Sequence, residues 1–278
     1  MWFLLGVLSM PPTSDAAYVD PVRNRARALT LAMIGVGVSA SPAVADDEVR
    51  TWHGMVMPYV WLPASVGGSV TLGPESVTMQ ANMADMLGRL EMAASLRAEV
   101  WYGEFGLLVD TLYARFGDER MTRQGALDAE LTQSLGELAL GYRLGRWPTS
   151  SGEDAVTITA ELYAGARLSR FEVAVAQGTS QNATQNLIDP MIGVRIPVQL
   201  SPHWLLSMRG DIGGFGVDSD LVWNLVFGME RGLSSSLALQ FGYRIMRIDF
   251  STDAGDTDRE VSVRTIMHGP GFAGSYRF

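Results

Sequence analysis

The segment Gly269-Pro270-Gly271-Phe272-Ala273-Gly274-Ser275-Tyr276-Arg277-Phe278 puts Phe272, Tyr276 and Phe278 on one parity, with small or charged residues between them. Alternation of this kind is the period of a β-strand, whose successive side chains point to opposite faces. The same period runs back through the chain. Leu237, Leu239, Phe241 and Tyr243 oppose Gln240, Gly242 and Arg244; Leu221, Trp223, Leu225, Phe227 and Met229 oppose Asn224 and Glu230; Trp204, Leu206, Met208 and Ile212 oppose Arg209 and Asp211. Upstream, Ile192, Val194, Ile196 and Val198 face away from Asp189 and Arg195, and Val156, Ile158, Ala160 and Leu162 face away from Glu161, Tyr163 and Arg167. Leu138, Leu140, Tyr142 and Leu144 oppose Glu137 and Arg143; Phe105, Leu107 and Val109 oppose Asp110; Leu96, Ala98, Val100 and Tyr102 oppose Arg97, Glu99 and Trp101. About ten strands are predicted, with eight or twelve as alternatives, each of a length that suits a tilted membrane span.

Alternation alone does not separate a membrane barrel from a soluble β-sandwich, but the connections do. Gly103-Glu104, Leu200-Ser201-Pro202 and Arg231 to Ser235 are tight, whereas Gly117 to Asp128, Gln177 to Asn186 and Ser251 to Arg259 are longer and polar. Short turns at one end and longer loops at the other are the mark of a closed antiparallel transmembrane β-barrel, the sheet form that satisfies its backbone in lipid. The fold class is therefore all-β. Two connections depart from the pattern: Gly145 to Asp154 is long for its end, and Val217 to Asp220 is short.

With its terminal Phe278 and alternating strands, the chain resembles the outer-membrane β-barrel proteins of Gram-negative bacteria, which typically finish on an aromatic residue, most often Phe. The resemblance spans residues 51 to 278 as architecture and reaches no particular activity. It implies that the barrel assembly machinery reads Phe272, Tyr276 and Phe278, and that the surroundings are outer-membrane lipids and lipopolysaccharide. Trp52-x6-Tyr59-x-Trp61-x-Pro63, followed by Gly67-Gly68, is also similar to the first strand of small uncharacterised barrel proteins.

At the other end, Arg23, Arg25 and Arg27 precede the apolar stretch Ala28 to Ala40, which finishes at Ser41-Pro42-Ala43-Val44-Ala45. A basic region, a short apolar core and an A-x-A site form a cleavable signal peptide. Residues 1–45 are thus expected to be a signal with an upstream extension, and 46–278 an exported barrel destined for the cell outer membrane. Composition agrees. Only 18% of the 278 residues are charged, the net charge is −9 and Cys is absent, which excludes thiol catalysis and Cys-ligated metals. An acidic chain without a basic block offers no footprint for nucleic acid. After residue 45 no apolar run approaches the ~20 residues of a helical span.

If the apolar parity meets lipid, the inward parity carries Arg97, Arg143, Arg167, Arg195, Arg209 and Arg244 against Glu99, Asp110, Glu137, Glu161, Asp189, Asp211 and Glu230. Buried charges must be paired, and the Arg fork suits bridging of carboxylates on neighbouring strands. The expectation is a lumen packed with ion pairs, and a structural or surface-interaction role. A narrow porin-like path is the alternative, weighed against the ~16 strands usual for a wide aqueous channel.

Between Ala64 and Leu90 the period changes. Val77, Met79, Met83, Met86, Leu87 and Leu90 fall near helical spacing, which predicts a short helix; Ser69 to Leu72 with Ser76 to Met79 would instead form an extra hairpin. The second alternative is an outer-membrane hydrolase acting on lipid or peptide, and the resemblance implies that such an enzyme would use a His with Ser or Asp near the outer rim. His53 and His203 fall at the other end, and His268 sits on the lipid-facing parity unless a bulge near Gly269-Pro270 returns it to the lumen. Spacing specifies no Ser or Asp partner, so no catalytic residue is assigned. The acidic loop Asp253 to Glu260 lacks the ligand register of a calcium hand and reads as solvated. No cofactor or metal signature is present.

Overall fold

In the computed structural model, residues 51–72, 75–122, 125–149, 155–177, 179–252 and 261–278 are described. The expected signal segment 1–45 and the acidic loop 253–260 lie outside them. The strands are β1 (Trp52–Trp61), β2 (Ser65–Leu72), β3 (Glu75–Asn82), β4 (Leu90–Tyr102), β5 (Phe105–Thr122), β6 (Gly125–Pro148), β7 (Thr157–Gln177), β8 (Thr179–Ser201), β9 (Trp204–Gly213), β10 (Leu221–Gly232), β11 (Leu237–Thr252) and β12 (Val261–Arg277), with one helix, α1 (Met83–Leu87). β1 pairs with β4, β4 to β12 pair in sequence, and β12 pairs back onto β1, so ten antiparallel strands close a barrel. The two ladders of β1 close that circuit from Trp52 to Tyr59, which lets a sheet this apolar on its outside stand in lipid.

The alternating parity sorts as physics requires. Leu96, Val100, Leu107, Val109, Leu138, Leu140, Ile188, Ile192, Leu239 and Phe241 lie exposed on the outer surface, while Arg97, Glu99, Glu137, Glu161, Arg167, Asp189, Arg209, Asp211 and Glu230 are buried inside. An apolar belt of this extent is the surface of a transmembrane barrel. Aromatic pairs stud the short-turn end: Trp52 against Tyr102, Phe105 against Tyr142, and Phe241 against Phe272. Phe272, Tyr276 and Phe278 all face outward. No helix among the described residues is long and apolar enough to cross a membrane, so the strands do the crossing.

Two expectations change. The polar stretches 117–128 and 177–186 are largely strand, because β5 and β6 keep one register from Phe105↔Tyr142 to Thr122↔Gly125, and β7 and β8 hold theirs to Gln177↔Thr179. Above the membrane a strand has no apolar face to show, so these hairpin arms read as loops although their backbone ladder continues. The 64–90 segment combines both readings: the hairpin forms, as β2 and β3, and the helix shrinks to five residues capped by Asn82 and Asp85 in a capping box. β2 takes over from β1 beside β12, pairing Ser65↔His268 through Leu72↔Val261. The bend between them fits only a glycine opposite, since a Cβ on Gly269 would lie 2.0 Å from the Leu62 carbonyl oxygen.

Candidate functional site

The lumen is built in three levels. Register alone creates the middle one: Arg97↔Asp110, Asp110↔Glu137, Glu137↔Arg167 and Arg167↔Asp189 are successive cross-strand partners, a row of five charges over β4 to β8. A second row, Arg143↔Glu161, Glu161↔Arg195 and Arg195↔Arg209, lies nearer the short-turn end. Arg195 and Arg209 are like charges side by side, and they separate by reaching across the lumen. Arg195 goes to Glu99 (2.5 and 2.8 Å) and Glu161 (2.7 Å); Arg209 goes to Glu137 (2.5 Å), Asp110 (3.3 Å) and the Tyr163 hydroxyl (2.8 Å). Such charge-assisted bonds satisfy the fork geometry of guanidinium and carboxylate.

The remaining members complete the mesh. Arg167 donates to Glu137 (2.7 Å) and Asp211 (2.5 Å), Arg97 to Glu99 (2.6 Å), and Arg143 to Glu161 (3.4 Å) and the Gly103 carbonyl (3.2 Å). Arg244 donates to Asn224 (2.8 Å) and lies 5.0 Å over the Trp61 ring. Glu230 accepts from Gln240 and Arg277. Asp189 differs from the ion-pair expectation. It accepts from the backbone N–H (2.8 Å) and hydroxyl (2.7 Å) of Ser219, so it anchors the short 214–220 turn. Tyr59, Trp101, Tyr163 and Asn224 are site members that charge reasoning passed over: Tyr59 donates to Asp110 (2.8 Å), Trp101 to Glu99 (3.0 Å), Tyr163 to Asp211 (3.0 Å) and Asn224 to Asp211 (2.9 Å). Their inward parity was the available signal.

On the long-arm side the lumen turns apolar, with Trp61, Leu112, Leu135, Val222, Met246, Ile248 and Met267 packed together. On the short-turn side it opens into a cavity of about 850 Å³ reaching from Tyr59 and Trp61 to Ser235, Ser236 and Arg277. The lumen is therefore not packed throughout, as the charge pattern implied. Small inward residues such as Gly228, Gly242 and Ser207 leave space that the side chains of a ten-strand barrel do not fill.

The histidines do not converge. His53 approaches Arg143 (3.5 Å), His203 stands in the β8–β9 turn, and His268 meets the Tyr243 hydroxyl at 2.5 Å on the outer face. The bulge that would turn His268 inward is absent, since β11 and β12 pair without a shift from Leu237↔Tyr276 to Thr252↔Val261. Among the described residues no group of His, Asp and Glu is placed to hold a metal ion.

The chain is similar to outer-membrane barrels. Ail, the attachment invasion locus protein of Yersinia pestis, aligns over 82% of this chain and 99% of its own at 11% identity and a TM-score of 0.34. Neisserial surface protein A aligns over 81% and 97%, at 14% identity and 0.30; the translocator domain of the autotransporter NalP from Neisseria meningitidis aligns over 84% and 90%, at 13% and 0.29. No protein-family model and no curated protein matches the sequence. The architecture rests on the chain's own closed sheet and apolar belt.

Proposed function

We propose that this is a non-enzymatic, non-conducting barrel of the Gram-negative outer membrane, with its short turns in the periplasm and its extended hairpin arms serving surface interaction. The observation that carries this reading is the lumen: among the described residues cross-lumen ion pairs and an apolar cluster fill its middle and outer parts, and the cavity lies toward the short-turn end. The outward His268 and the separation of the three histidines support the non-enzymatic assignment, because general acid–base chemistry requires groups within hydrogen-bond reach of a substrate cleft. On this reading the partners are membrane lipids and lipopolysaccharide around the belt, and the assembly machinery at the Phe272, Tyr276 and Phe278 end.

Two experiments test it together. Cell fractionation should recover the mature protein in the outer membrane as a heat-modifiable band, and liposomes containing it should swell no faster in small sugars than protein-free liposomes. Recovery from the periplasm without detergent, or rapid swelling, overturns the proposal.

A further inference from the structure

The barrel wall is incompletely zipped. β1 holds β4 only as far as Tyr59↔Ser95, and beyond it Leu62 N–H and Ala64 N–H donate to the Pro270 and His268 carbonyls, so the chain follows β12. β4 meanwhile continues up to Leu90 with β5 as its partner, and β3 pairs with β2. Among the described residues no ladder joins 60–64 or β3 to residues 90–94. An open edge in hydrocarbon leaves backbone groups unsatisfied, which closed barrels otherwise avoid.

Leu62, Pro63, Met86, Leu87, Leu90 and Ala93 line this seam, and behind them stand Trp61, Leu112 and Ala114 of the apolar lumen. The space between is a cavity of about 30 Å³, covered by α1, a helix with no buried residue. Gln133 also lines it. Gln133 is buried at 9% exposure, and among the described residues its amide nitrogen has no hydrogen-bond partner. Above the seam, Arg115 bridges Glu91 (2.9 Å) and Glu130 (2.6 Å) on the outer face, where the apolar belt gives way to charge.

We propose that the seam is a lateral binding site for an acyl ester chain of the surrounding lipid. α1 lifts, the methylenes pass between residues 60–64 and 90–94 to lie against Trp61, Leu112 and Ala114, and the ester carbonyl accepts from Gln133 Nε2. The occupant follows from continuity: exposed Val60, Met92 and Leu96 of the belt flank the seam, its lining is predominantly apolar, and the Gln133 donor, unpartnered among the described residues, fits a carbonyl oxygen.

The test is photo-crosslinking in vesicles of phosphatidylcholine bearing a mid-chain diazirine, with adducts mapped by mass spectrometry. In the wild type, adducts are expected on lumen-facing Trp61, Leu112 or Ala114 as well as on belt residues such as Leu107. Ala93→Trp, which fills the seam, should lose the lumenal adducts and keep the belt adducts, with heat-modifiable migration reporting that it is folded. Gln133→Leu should reduce the lumenal adducts. Wild-type adducts confined to the belt, or lumenal adducts that persist in folded Ala93→Trp, overturn the proposal.

Discussion

Replacing Arg209 by Met removes a guanidinium that contacts three carboxylates and a tyrosine. Arg209 is buried at 8% exposure and contacts Glu137 (2.5 Å), Asp110 (3.3 Å), Asp211 (3.7 Å) and Tyr163 (2.8 Å). Removing one partner of a buried pair leaves uncompensated charge and typically costs ~3–5 kcal/mol. Here each carboxylate retains a second donor: Glu137 and Asp211 keep Arg167, and Asp110 keeps Tyr59 and Arg97. The loss therefore falls at the lower end, about 3 kcal/mol, and Met restores most of the lost packing volume. Arg170→Met is the control, because Arg170 pairs with Glu172 in the exposed outer part of β7, where an ion pair is worth ~0–1 kcal/mol. Equilibrium urea unfolding of the refolded barrel in lipid vesicles, followed by tryptophan fluorescence, measures both. If Arg209→Met proves as stable as Arg170→Met, the lumenal mesh contributes nothing specific to folding and the reasoning fails.

Three further outcomes follow from the same physics. Asp189→Ala leaves the buried Ser219 N–H and hydroxyl without their acceptor, which should cost ~1–3 kcal/mol in the same unfolding assay and expose the 214–220 turn to added protease. Gly214→Ala should destabilise by ~1–3 kcal/mol, because φ is +88° there and a Cβ would sit 2.7 Å from the Ser219 carbonyl oxygen; an unchanged urea midpoint would contradict this. Tyr59→Phe removes one donor from Asp110 while Arg97 and Arg209 remain, so a smaller loss of ~1 kcal/mol is expected, and a larger loss than for Arg209→Met would reverse the assigned order of importance.

Much of the lumen was legible because a strand's period is two and the ladders hold their register. Once Leu107 and Val109 are placed outward, Asp110 must point in, and its cross-strand neighbours Arg97 and Glu137 follow. Pairing was less legible. Asp189 is the cross-strand neighbour of Arg167 yet bonds Ser219, because a partner thirty residues away is brought close by the 214–220 turn and not by sheet register. Parity also placed Tyr163 and Asn224 inward without revealing their bonds to Asp211, since a neutral polar residue on an inward face has no sign to match. The extended hairpin arms escaped because backbone ladders beyond the apolar belt leave no hydrophobic period to read, and the transfer of β12 from β1 to β2 because a change of partner leaves no mark on a strand's own period.

Single-channel recording from the wild-type barrel in a planar bilayer tests the central claim, that ion pairs and the apolar cluster close the lumen above a blind inner cavity. An unperturbed baseline under applied voltage after verified insertion is the expected result. Large, stable conductance steps would contradict it, showing that the layer formed by Glu137, Arg167, Arg209 and Asp211 lets ions through.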